Sequence, residues 1–261
     1  MKLAYADVPE GQIHYRTEGN GEPVLLLHMG GSSSDEYTRV LPFLSKTYCA
    51  IAMDFLGYGD SDPAPRQYQI SDHAQTVVSF MDSLGIRKTS IVGHHAGAQV
   101  AAELAVTWPE RVEKLVLSSC PYWRYENERV AASKEAVLKC AKINQDGWHL
   151  MEWWQRAKRY EDPVEIVDEI TLAFHKAGLR GEELDLATYA YDTKLKLPLI
   201  KCPTLVLSGT RDSFCAVVQD VKSLIPRSKI TVIKNGSVFI GRVMPKEFAE
   251  AILVFLKDPG V

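Results

Sequence analysis

Short runs of apolar, largely β-branched residues alternate along this chain with segments whose apolar positions recur at helical spacing. PVLLLH (23–28), CAIAMD (49–54), TSIVGH (89–94) and KLVLSS (114–119) are apolar enough to be buried on both faces of a parallel sheet. Residues 2–8 and 12–17, separated by Pro9-Glu10-Gly11, read as a hairpin at the sheet edge. Between the strands lie helical patterns: DEYTRVLPFLS from Asp35, SDHAQTVVSFMDSLG with Ser71 as N-cap, and AGAQVAAELAVTWPE from Ala96. After Pro121 the strand pattern stops, to return at TLVLSG (204–209) and KITVIK (229–234); a final helix begins near Pro245. The expectation is an α/β fold with a mostly parallel central sheet flanked by helices. Residues 1–120 and 197–261 form its core, and residues 121–196 form a helical cap insertion.

Composition narrows the partners. The net charge of -3 over 261 residues is spread without blocks or a basic stripe, which argues against nucleic acid and membrane surfaces. No apolar run is long enough to span a bilayer, and the first residues lack a signal-peptide pattern, so a cytoplasmic location is expected. Five cysteines (Cys49, Cys120, Cys140, Cys202, Cys215) form an odd set without a C-x-x-C pair, as expected of reduced thiols. His14, His73, His149 and His175 have no metal-ligand spacing, and no cofactor or metal is expected. The pattern leaves monomer and homodimer open.

The chemistry concentrates at Gly93-His94-His95-Ala96-Gly97, between a strand and a helix. Flanking glycines there permit a strained turn that lifts the middle side chain, His95, above the sheet. Other segments fall in a matching order: His28-Met29-Gly30-Gly31, Asp54-Phe-Leu-Gly57-Tyr-Gly59-Asp-Ser61, Gly209-Thr210-Arg211-Asp212, and Pro245-Lys246-Glu247-Phe248. Together they resemble the α/β-hydrolase fold superfamily, over essentially the whole chain outside the cap. The resemblance implies a nucleophile elbow at His95, an acid at Asp212, and an oxyanion hole from the backbone N–H groups of Met29, Gly30 and Ala96. It also implies supporting roles for His28 and His94.

The departures fall on the reacting groups. The superfamily's late catalytic His would align near Val238, in Asn235-Gly-Ser-Val-Phe-Ile-Gly-Arg-Val-Met244, and no His follows His175. The chain resembles a branch with G-H-H-x-G at the elbow that also lacks the late His. An imidazole reaches further than a serine hydroxyl and would meet Asp212 directly. The carboxylate would fix its tautomer and leave its outer nitrogen to activate water. Alternatively the ring itself attacks an acyl carbon. Against both stand plainer readings: His95 only lines a binding pocket, and Asp212 only caps a turn.

The cap's aromatic residues are read partly as packing and partly as pocket wall, with Cys120, Trp123, Trp148, Trp153, Trp154 and Val238 as pocket residues. An aromatic cap over a site with few charges implies a small apolar substrate such as an ester, lactone or β-keto compound. The expected function is therefore a cofactor-independent hydrolase using His95 and Asp212. The alternatives are a non-catalytic protein that binds or senses a small molecule, and a lyase or decarboxylase on the same fold.

Overall fold

The computed structural model describes residues 1–125, 131 and 145–258. Among the described residues eight strands form one sheet: β1 (Lys2–Val8), β2 (Gly11–Glu18), β3 (Pro23–Leu27), β4 (Cys49–Met53), β5 (Thr89–His94), β6 (Val112–Ser118), β7 (Thr204–Gly209) and β8 (Ser228–Ile233), in the order β1-β2-β4-β3-β5-β6-β7-β8. The hairpin β1–β2 and the β2–β4 pair are antiparallel; every later pairing is parallel. β3 lies between β4 and β5, and Val24, Leu25, Leu26 and Leu27 are fully buried. Side chains of this kind contribute about 1.5–3 kcal/mol each when removed from water, which is why the apolar runs take the central places.

Helices cover both faces. The longer ones are α1 (Ile70–Ser83), α2 (Ala96–Thr107) and α3 (Pro245–Lys257). Between β6 and β7 the described elements are helical, including α4 (Trp148–Lys158), α5 (Val164–Lys176) and α6 (Glu183–Ala190), and they make the cap insertion.

Local chemistry shifted three expected boundaries. The segment from Asp35 is broken into a 3-10 turn, Ser34–Tyr37, and one helical turn, Leu41–Leu44, with Pro42 in its first positions, where a missing N–H costs nothing. α1 is capped by Gln69, not Ser71, because the Asp72 side chain accepts the Gln69 N–H and closes a capping box. α2 stops at Thr107, where Pro109 begins a 3-10 turn. Cys49, Cys120, Cys202 and Cys215 are free thiols, and Cys140 lies outside the described residues. Among the described residues no helix is long and apolar enough to cross a membrane.

Candidate active site

The carboxyl ends of β3, β5 and β7 converge, as binding crevices of open α/β sheets do. β5 ends in His94 and α2 begins at Ala96, so His95 makes the whole turn, with φ 48° and ψ -117°. A non-glycine residue with positive φ is strained, and here packing holds it. A methyl group added at Gly93 would lie 2.3 Å from Gly97 O, and one at Gly97 would lie 2.3 Å from Leu27 O. Glycine at both sites lets the helix press against the strands, so that His95 is the residue thrust outward.

His95 Nε2 lies 2.8 Å from Asp212 Oδ2. Asp212 follows β7, and its other oxygen accepts the Phe214 N–H at 2.8 Å as the cap of a 3-10 turn. The two readings of Asp212, cap and imidazole partner, are thus satisfied by different oxygens of one carboxylate. Burial opposes ionisation of Asp212, but the charge and hydrogen bond of His95 outweigh it and hold its carboxyl down at about 2. Burial likewise disfavours the His95 cation, and the carboxylates Asp212, Glu36 and Asp185 outweigh it, raising the imidazole above its ordinary 6.5. The outer nitrogen is therefore spent on Asp212, contrary to the sequence expectation. Nδ1, the inner one, has no hydrogen-bond partner among the described residues. The reason is reach: Nε2 is the ring atom that extends far enough to meet an acid on β7.

The neighbouring histidines support backbone. His94 is buried; its Nε2–H donates to Val238 O at 2.7 Å and its Nδ1 accepts from Ser118 Oγ at 2.9 Å, tying the elbow to the loop where a late His would sit. His28 Nε2 accepts the Phe55 N–H at 3.0 Å, which leaves Nδ1–H to donate to Met29 O at 2.7 Å. This fixes the loop that follows β3. The Met29 N–H, expected in an oxyanion hole, is already donated to Glu36 Oε2 at 3.1 Å. No partner occupies the Gly30 or Ala96 N–H among the described residues.

A cavity of about 520 Å³ opens over His95, and Met29, Gly30, Trp153 and Val238 line it. Trp153 stacks on Phe174 with ring centroids 3.3 Å apart. The other expected wall residues lie elsewhere. Trp148 is 66% exposed, and Trp154 donates its Nε1–H to Asp168 at 2.7 Å. Successive residues turn about 100° round a helix, so three tryptophans on α4 at these spacings cannot share one face. Trp123 borders a smaller separate cavity with Tyr191 and Asp192. Cys120 is buried outside the wall; burial pushes its thiol up to about 12, where it is inert as a nucleophile.

The cavity is also more charged than its aromatic cap implied, since Glu36, Asp185, Arg156, Arg159 and Arg242 line it. Glu36 and Asp185 are the residues that sequence reasoning missed. Glu36 sits in a segment that reads as a helix face, and Asp185 lies in an unremarkable EELDL run with no spacing to mark it. Outside this site, His14, Asp54 and Asp60 hold possible metal-ligating atoms within 4.8 Å of one another. Asp54 is engaged there by His14 and by the Ser34 and Asp60 N–H groups, which accounts for the cluster as a turn clamp.

Comparison with known proteins agrees with this topology. A family model described as alpha/beta hydrolase fold matches residues 22–149. The chain is 23% identical over 259 residues to the (E)-2-((N-methylformamido)methylene)succinate hydrolase of Acinetobacter baylyi, covering 94% of each. It is 34% identical over 121 residues to a 2-hydroxy-6-oxo-6-phenylhexa-2,4-dienoate hydrolase of Comamonas testosteroni, covering 44% of this chain and 42% of that one. Among solved structures, the enol-lactonase from Burkholderia xenovorans superposes with a TM-score of 0.77 at 21% identity, covering 98% of this chain and 100% of that one. The chain is a protein of the α/β-hydrolase fold.

Proposed function

We propose that this protein is a hydrolase of small carbonyl compounds, an ester, lactone or β-keto compound, in which His95, standing at the position of the usual nucleophile, acts as general base and the route needs no cofactor or metal. The observation that carries the proposal is the 2.8 Å contact between His95 Nε2 and Asp212 Oδ2 at the floor of a cavity. Asp212 holds the Nε2–H tautomer, so the lone pair of Nδ1 is the base. Nδ1 lies beside the ring's attachment point and is the more hindered nitrogen, which favours taking a proton from water over direct attack on carbon. The activated water attacks the carbonyl carbon, and the Gly30 and Ala96 N–H groups receive the developing negative charge. The Met29 N–H has no part in this scheme because Glu36 occupies it. The similar proteins support the reaction class: their names refer to a methylene-succinate, a hydroxy-oxo-dienoate and an enol lactone.

The test is steady-state incubation with a panel of short esters, lactones and β-keto compounds, with product identified by mass and controlled for free imidazole. Saturable turnover to hydrolysed product is expected. Tight binding with every ligand recovered unaltered would replace this reading with that of a binding protein, and decarboxylated or eliminated product would replace it with a lyase.

A further inference from the structure

The surroundings of the expected oxyanion hole pose a problem that one residue resolves. Glu36 takes the Met29 N–H, and a second acid, Asp185, lies against the next residue: a methyl group added at Gly30 would sit 1.9 Å from Asp185 Oδ1. Asp185 comes from the first turn of α6 in the cap, lines the same cavity as His95, and makes no hydrogen bond or ion pair through its carboxyl among the described residues. An ionised carboxylate there would repel an oxyanion. A protonated one would do the opposite, since a neutral acid in a poorly solvated site donates a strong hydrogen bond to developing negative charge.

We propose that Asp185 is the acid of the site, its carboxyl proton passing to the substrate's carbonyl oxygen as His95 draws a proton from the attacking water. The inference rests on the His95 reading above. Water oxygen bonds to the carbonyl carbon, its proton goes to His95 Nδ1, the π pair moves to the carbonyl oxygen, and that oxygen takes the Asp185 proton. Collapse of the neutral tetrahedral adduct returns the proton to Asp185, while the His95 imidazolium protonates the departing alkoxide. The sum is substrate plus water giving acid plus alcohol, with both residues restored.

Burial favours a proton on Asp185, and the His95 charge opposes it. Desolvation pushes the Asp185 carboxyl up to about 6; the His95 charge acts downward and Glu182 upward. Tyr160 and Tyr58 also feel the Asp185 charge, and Glu36, Arg156 and Arg159 face the cavity from other elements. The working state carries one proton between the two groups, placed on Asp185; because His95 is raised above 6.5 and Asp185 only to about 6, this is the minor of the two singly protonated forms, and activity falls on both sides of an optimum.

The experiment is the pH profile of kcat/KM for the wild type, Asp185→Asn and His95→Ala, with circular dichroism to verify folding. The wild type should give a bell. Asp185→Asn should lose about 10²- to 10⁴-fold and keep only a limb rising with pH, set by His95. A wild type without an alkaline limb, or an Asp185→Asn variant that keeps both the rate and the bell, overturns the acid role while leaving His95 in place. Retained turnover in His95→Ala overturns the underlying reading instead. Infrared titration of the wild type against Asp185→Asn gives a readout independent of turnover: a protonated carboxyl band, absent from the variant, is expected at pH 5 and should fade through about pH 6. A band already absent at pH 5 overturns the proposal.

Discussion

His95 and Asp212 stand 117 residues apart in sequence and 2.8 Å apart in space, joined through the ring nitrogen farthest from the backbone. The contact orders the ring, because it occupies Nε2 and leaves Nδ1 without a hydrogen-bond partner among the described residues. It also links two titrating groups whose shifts have opposite sign.

That linkage gives a stability signature. The raised imidazole of His95 contributes stability that is present below its ordinary 6.5 and is lost as pH rises through its folded value. The carboxyl of Asp212, held at about 2, contributes stability that is present above its ordinary 3.8 and is lost as pH falls toward about 2. The difference in unfolding free energy between wild type and Asp212→Asn should therefore be largest between about pH 4 and 6.5 and shrink on either side. Denaturant melts across pH check this, and a difference that does not vary with pH would contradict the pairing.

Asp212→Asn should also lower the His95 pKa, since it removes the strongest of the influences raising it and leaves burial unopposed by that charge. Histidine ring signals followed by NMR from pH 4 to 9 would record the shift. An unchanged midpoint would mean that Asp212 does not set the ring's basicity.

His94 and His95 should separate cleanly. His94→Leu leaves Val238 O and Ser118 Oγ without their buried partner, at a cost of about 1–3 kcal/mol per unsatisfied group. Any substrate found for the protein should still be turned over, with far less loss than in His95→Ala. Thermal melts and kcat/KM measured together test this; the reverse pattern would exchange the roles assigned to the two rings.

Two glycines predict different severities. Gly97→Ala places a methyl group 2.3 Å from Leu27 O, a backbone atom held in β3, and should destabilise strongly or prevent folding. Gly30→Ala meets the end of the Asp185 side chain, which can swing, so about 1–3 kcal/mol is expected together with a loss of activity. Comparing soluble yield and melting of the two variants tests the ranking.

The strands and the elbow were legible in the sequence because both are written in local pattern. A run such as PVLLLH admits only a buried strand here, and GHHAG between a strand and a helix defines a tight turn. The contact of His95 with Asp212 was also readable, because His95 directly follows one such strand and Asp212 lies in the turn after another. Less legible were properties that depend on direction. Which imidazole nitrogen meets the acid follows from distance across the sheet, and which tryptophans face the cavity follows from the rotation of α4. Glu36 and Asp185 carry no motif; they matter through what they lie against, the Met29 N–H and the α-carbon of Gly30.

The central claim is that the chemistry resides on the imidazole at the elbow. It is tested most directly by saturable turnover of a small lactone or ester by wild type and His95→Ala, side by side, with the fold of the variant verified. The account predicts turnover in the wild type and a loss of at least about 10²-fold in the variant. Equal turnover by both proteins would contradict it.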